Sequence, residues 1–154
     1  MTRIAVTGHR NLSPRTTVLI DIAVREALRP YAPDIVGISC LASGADQIFA
    51  SAVIDLGGVL EAVVPARQYG EASFRELLAR AVTVRRLPYD LPSPAAYAAA
   101  NEVMLASADV LVAIWDGLPA QGIGGTAEAV ADAVRREMPV HIVWPPGAAR
   151  LDTT

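Results

Sequence analysis

A short apolar run, a turn of small or polar residues and a helix-periodic segment follow one another repeatedly along the chain, and this order restricts the fold more than any other feature. Arg3 to Thr7 reads as the first strand, Ile35 to Ser39 as the second and Val59 to Val64 as the third, stopped by Pro65. Val82 to Leu87 reads as a short edge strand, Val110 to Trp115 as the most hydrophobic and most central one, and Val140 to Val143 as the last before Pro145-Pro146. Between them lie helices. Ser13-Pro14 and Ser93-Pro94 are cap-and-proline starts, the second opening an alanine-rich helix to about Ala108. A helix follows Asp46 and ends near Gly57-Gly58, one spans Ala72 to Arg80, and one runs from about Thr126 to Glu137. In the first helix Val18, Leu19, Ile22 and Ala23 are the expected buried stripe.

Strands alternating with helices imply right-handed crossovers, which place helices on both faces of a sheet. The expected fold is therefore α/β: a single Rossmann-like, doubly wound, mostly parallel sheet of about six strands with helices on both faces. With 154 residues there is room for one domain, taken as 1–147, and 148–154 read as a C-terminal tail that frays. A composition that is 53% hydrophobic but only 5% aromatic means a core of Ala, Val, Leu and Ile, as helix-covered parallel sheets have.

Several chemistries are excluded at this point. All 13 basic residues are arginine, so neither a phosphate-loop lysine nor Schiff-base catalysis is available. One cysteine, Cys40, allows no internal disulfide and reads as a small buried residue at a strand end. His9 and His141 stand alone, with no carboxylate at metal-ligand spacing, so neither metal nor cofactor is expected. No apolar run reaches the ~18 residues of a membrane span, and the N-terminus lacks the long apolar core of a signal peptide, giving a soluble, cytoplasmic expectation. A net charge of −3 without a basic stripe makes nucleic acid an unlikely partner.

Ligands of doubly wound sheets sit beyond the carboxyl ends of the strands, where strand order reverses. Three strand-to-helix turns bring unusual residues there: Gly8-His9-Arg10, Ser43-Gly44-Ala45-Asp46, and Gly122 to Glu128. Gly122, Gly124, Gly125 and Thr126 make a phosphate cradle from backbone N–H groups and a hydroxyl at a helix start. Arg10 can pair with phosphate and His9 can donate a hydrogen bond or move a proton, although both also suit a solvated turn. Asp46 reads equally as a helix cap or a ribose contact, and Glu128 as a dipole-stabilised acid or a ribose acceptor. Asn101 is a poor choice for a buried helix face unless its amide has partners. Trp115 offers a stacking surface or a plug for the sheet edge, and Asp116 an acceptor beside it.

Thr7-Gly8-His9-Arg10, Ser43-Gly44-Ala45-Asp46, Asn101 before Ala108-Asp109, and Gly124-Gly125-Thr126-Ala127-Glu128 together resemble the SLOG superfamily. That Rossmann-like group includes the LOG phosphoribohydrolases, the DNA-processing protein DprA and YpsA-like proteins, and the resemblance covers nearly the whole chain. It implies a nucleotide or nucleotide-derivative site formed by these loops, and, because several relatives form dimers, it admits a homodimer. The LOG hydrolases carry Pro-Gly-Gly-x-Gly-Thr-x-x-Glu. Aligning Gly125-Thr126 with that pattern puts Ala129 at the catalytic glutamate, and the preceding Arg-Lys pair falls near Ala100-Asn101. Glu128 is one residue early, a rotation of about 100° on a helix. The expected function is therefore binding or sensing of a ligand such as AMP or an ADP-ribose-like molecule. The alternative is an N-glycosidic hydrolase or transferase on nucleoside monophosphates, with Glu128 or Asp116 as the catalytic carboxylate. A single-stranded-DNA binder of the DprA kind is disfavoured by the acidic balance and scarce aromatics.

Overall fold

The computed structural model describes residues 1–71, 73–119 and 125–151. Its six strands are β1 (Thr2–Gly8), β2 (Ile35–Ser39), β3 (Val59–Val64), β4 (Thr83–Arg86), β5 (Val110–Ile114) and β6 (Val140–Ile142). The helices are α1 (Pro14–Leu28), α2 (Ala45–Asp55), α3 (Phe74–Ala79), α4 (Pro94–Ser107) and α5 (Thr126–Arg135), with a short 3-10 turn at Arg29–Tyr31. The sheet runs β4-β3-β2-β1-β5-β6 and every pairing in it is parallel. This is the expected doubly wound α/β architecture. The chain moves outward from β1 to β4 and then crosses back to lay β5 on the other side of β1, so strand order reverses between β1 and β5.

Alternation along the strands sorts the core into layers. Ile4 and Val6 of β1 and Val112 and Ile114 of β5 pack with α1 and α2. Ala5 of β1 and Leu111 and Ala113 of β5 face the other way, onto Ala100 and Met104 of α4 and Val130 and Ala133 of α5. Because both faces are covered, β5 is apolar at every position, which is what a continuous Val-Leu-Val-Ala-Ile run encodes. β4 is an edge strand and is exposed along its length.

Local start signals are followed closely. Ser13 accepts from the Thr16 amide and Ser93 from the Ala96 amide, each with proline at the first helical position. Replacing Ser93 by alanine should therefore cost about 1 kcal/mol, read as a lower urea midpoint at unchanged slope; an unaltered midpoint would mean that α4 does not depend on its cap.

Two expectations are corrected. The buried stripe of α1 is Thr16, Ile20, Val24 and Leu28, whereas Val18 and Ile22 are 59% and 53% exposed. Both sets repeat every four residues, so periodicity alone does not choose between them; docking against α2 does. The start of the C-terminal segment is also tied down rather than frayed. Leu12 and Arg150 form an antiparallel bridge, the Leu151 amide donates to Asn11 O at 2.9 Å, and the Ala149 amide donates to Thr16 Oγ1 at 2.9 Å. Among the described residues no helix is long and apolar enough to cross a membrane.

Candidate functional site

The reversal of strand order makes the loops after β1 and β5 diverge, and a cleft of about 390 Å³ opens between them. That volume lies in the ~300–1,000 Å³ range of small-molecule sites. From the β1 turn, Gly8, His9 and Arg10 line it; from the end of β5, Trp115 and Asp116; from the start of α5, Gly125 and Thr126. Asp46 of α2 and Asn101 of α4 complete the set of expected residues that reach it. Ser43 lines a smaller neighbouring cleft of about 220 Å³, which shares Arg10, Ala42, Tyr69 and Tyr97 with the first.

Not every expected residue is a wall. Gly44, at φ +84°, packs against the His9 and Arg10 carbonyls and lines neither cleft, so it sets the spacing of the β1 turn from α2. Glu128, offered as a catalytic carboxylate, is half-buried in the first turn of α5 and also lies off both cleft walls. Gly122 and Gly124 fall outside the described residues. Ser43 Oγ donates to Glu71 Oε2 at 3.0 Å.

His9 is 9% exposed and sits edge-on to Trp144, with ring centroids 5.4 Å apart. Its Nε2 accepts from the Asp116 amide at 3.2 Å and lies 3.3 Å from Asp116 Oδ1. Burial and then the Arg150 charge push the imidazole below its ordinary value, and the Asp116 carboxylate only partly opposes them. The ring is therefore neutral near pH 7, with Nε2 an acceptor that fixes the turn after β5 to the turn after β1. Asp116 Oδ1 accepts from the Leu118 amide at 3.0 Å, and Trp115 Nε1 donates to Leu118 O at 3.0 Å, so both residues also brace their own loop.

On the opposite wall the Arg10 guanidinium lies over the Tyr97 ring, 4.7 Å from its centroid. Asp46 does not cap α2, whose N-cap is Gly44; instead its Oδ2 accepts from the Ala42 amide at 3.3 Å within the wall. Burial pushes its carboxyl up to about 7, against the pull of that hydrogen bond and of Arg10. Cys40 is buried as expected, and burial raises its thiol well above the ordinary value, with Asp46 adding to the shift; this leaves an inert thiol, 3.8 Å from Met104 Sδ. Among the described residues no group of three or more His, Cys, Asp and Glu is placed to hold a metal ion.

Three lining residues carry no sequence signal that marks them: Tyr69, Tyr97 and Arg150. Tyr69 and Tyr97 meet edge to face at 6.5 Å, and Arg150 arrives through the bridge to Leu12. None belongs to a glycine-rich turn. Their placement depends on long-range packing, which a local motif does not encode.

No family model matches the chain, and no curated protein matches it in sequence. Solved structures do match. DNA processing protein A of Streptococcus pneumoniae aligns with a TM-score of 0.72 at 18% identity over 96% of this chain and 52% of that one, so this chain spans about half of that protein. DNA processing protein A of Helicobacter pylori, described for a single-stranded DNA binding mode, aligns with a TM-score of 0.69 at 15% identity over 97% of this chain and 68% of that one. A molybdenum cofactor binding protein from Rippkaea orientalis aligns with a TM-score of 0.63 at 16% identity over 92% and 75%. At these identities the likeness establishes the fold alone: the Rossmann-like fold that the resemblance implied is the one these structures share. It also corrects one expectation. Net charge and few aromatics are not grounds for setting nucleic acid aside, because this fold serves a protein that binds single-stranded DNA; such binding needs a local groove, which a whole-chain charge does not report.

Proposed function

We propose that this chain binds a phosphate-bearing nucleotide or nucleotide derivative in the cleft between the ends of β1 and β5, as a binding or sensing protein. The observation that carries this reading is the meeting of Arg10 with Gly125 and Thr126, the start of a ten-residue helix, in one cleft at the strand-order reversal. A guanidinium and the amides of a helix start are complementary to phosphate oxygens, and Trp115 on the cleft wall offers an aromatic ring to a base. Solved structures of the same fold bind ligands as unlike as single-stranded DNA and the molybdenum cofactor, which agrees with a binding scaffold whose walls set the cargo.

Turnover by a LOG-type mechanism has less support. Glu128 is off the cleft walls, Ala129 is buried in α5, and Asp116 is engaged with the Leu118 amide and lies 3.8 Å from Arg150 Nη1. A longer ligand has one specific observation in its favour: the smaller cleft lies beside the main one and shares Arg10, Ala42, Tyr69 and Tyr97 with it, so a short single-stranded oligonucleotide belongs in the test. Thermal unfolding should be followed with AMP, ADP-ribose and a short oligothymidylate while free base is assayed. A ligand that binds only the native state stabilises it by about 2.7 kcal/mol at 100 times its Kd. Stabilisation by AMP or ADP-ribose without base release is the expected result. Released base would favour the hydrolase, stabilisation by the oligonucleotide alone would move the ligand to nucleic acid, and no response to any of them would defeat the reading.

A further inference from the structure

Two buried polar atoms on the cleft walls have no hydrogen-bond partner among the described residues, Tyr69 Oη and Arg150 Nε. Buried donors are almost always paired, because an unpaired one keeps its full desolvation penalty. Arg150 Nε–H can only donate, and Tyr69 Oη–H donates readily. Neither donor is satisfied among the described residues.

Three contacts hold the backbone around Arg150. The bridge to Leu12, the Leu151 amide on Asn11 O and the Ala149 amide on Thr16 Oγ1 fix its backbone on both sides. The side chain gains little from Asp116, since Nη1 and Oδ2 are 3.8 Å apart, beyond hydrogen-bond reach. Tyr69 lines both clefts and makes T-shaped ring contacts with Phe74 and Tyr97, with centroids 5.4 and 6.5 Å apart.

Resting on the nucleotide-binding reading above, we propose that Arg150 and Tyr69 are specificity-determining residues that read two separate acceptors of one ligand. Arg150 Nε takes an anionic oxygen of the phosphate, and Tyr69 Oη donates to a base or sugar acceptor. The segment 148–151 thereby becomes a wall of the site. A phosphate ester with a polar base or sugar satisfies both atoms; inorganic phosphate satisfies only Arg150.

The test uses the full chain with Tyr69→Phe, Arg150→Lys and Arg150→Gln, titrated with inorganic phosphate and with whichever of AMP and ADP-ribose stabilises the wild type. Tyr69→Phe deletes a hydroxyl that has no partner in the free protein, so its ligand-free Tm should be unchanged or slightly higher while nucleotide affinity falls about fivefold and phosphate affinity stays the same. Both Arg150 variants should weaken phosphate and nucleotide alike, by about tenfold for Arg150→Gln, and Arg150→Lys should not restore binding because it lacks the Nε–H. Wild-type affinity in Tyr69→Phe and Arg150→Gln would overturn this inference alone and leave the cleft as the binding site. Failure of the wild type to bind any of the probes would bring down the nucleotide reading and this inference with it.

Discussion

Replacing Gly44 by alanine is expected to lower stability by about 3 kcal/mol or more, the largest loss from any single added methyl near the site. Two costs add. Gly44 holds φ +84° and ψ −129°, a region that L side chains rarely enter, which costs about 1–3 kcal/mol. Its Cβ would also run into backbone: the Arg10 carbonyl oxygen, the His9 oxygen at 2.7 Å and the Arg10 carbonyl carbon at 2.9 Å. Backbone cannot rotate aside as a flexible side chain can, so relief requires moving the turn after β1 away from α2. That movement would break the Ala45 amide's bond to His9 O, now 3.1 Å, and shift His9 and Arg10 within the cleft. Ligand affinity should therefore fall together with the urea midpoint. Gly117→Ala is the matched control. It has nearly the same φ, +85°, but nothing within 4 Å of the added methyl, so it should cost only the backbone term of about 1 kcal/mol. Equal midpoints for the two variants would show that the contact with the β1 turn is not tight.

Gly44 also marks where sequence reasoning reaches its limit. That three glycine-bearing turns gather on one sheet edge follows from alternating strands and helices, since parallel strands put every strand-to-helix turn at the same end. That Gly44 is a spacer between two backbones, and not a ligand contact, depends on the depth at which α2 seats against β1, which no local pattern carries. The serine-proline helix starts were legible because a cap acts within a few residues of itself. The α1 stripe was not, because Val18-Ile22 and Ile20-Val24 are equivalent until α2 docks. For the cleft, the β1 and β5 ends were foreseeable from topology, whereas Arg150 enters by a return of the chain over more than a hundred residues to Leu12. Of the two readings of Asp46 only the cap is overturned: Gly44 is the N-cap, and the buried Asp46 carboxyl accepts from the Ala42 amide in the cleft wall.

That burial makes Asp46→Asn the second large effect, and here the expected change is a gain. The carboxyl is 9% exposed, and burial raises it from an ordinary 3.8 to about 7, while the Ala42 amide and the Arg10 charge hold it lower than burial alone would. A raised carboxyl means that between about pH 4 and pH 7 the folded chain keeps a proton that the unfolded chain has released. This group's contribution to stability therefore falls as pH rises through that window, and the loss is complete above about 7. At ~1.4 kcal/mol per unit the loss at pH 8 is on the order of 2–4 kcal/mol. Asparagine is neutral at every pH and its Oδ1 can still accept from the Ala42 amide, so Asp46→Asn should fall about 1 kcal/mol below the wild type at pH 4, where only its new N–H donors count, and gain about 2–4 kcal/mol relative to the wild type between pH 4 and pH 8. Measuring both proteins across this range and taking the difference isolates Asp46 from His9, whose lowered imidazole acts in the other direction and loses its contribution as pH falls below its ordinary 6.5 toward its lowered value. The same charge lies beside Arg10, so an anionic ligand should bind the wild type more weakly as pH rises through 7 and bind Asp46→Asn tightly with little change over that interval. A stability difference that is flat from pH 4 to 8 would mean that Asp46 is ionised in the folded chain throughout, with the Ala42 amide and Arg10 outweighing its burial.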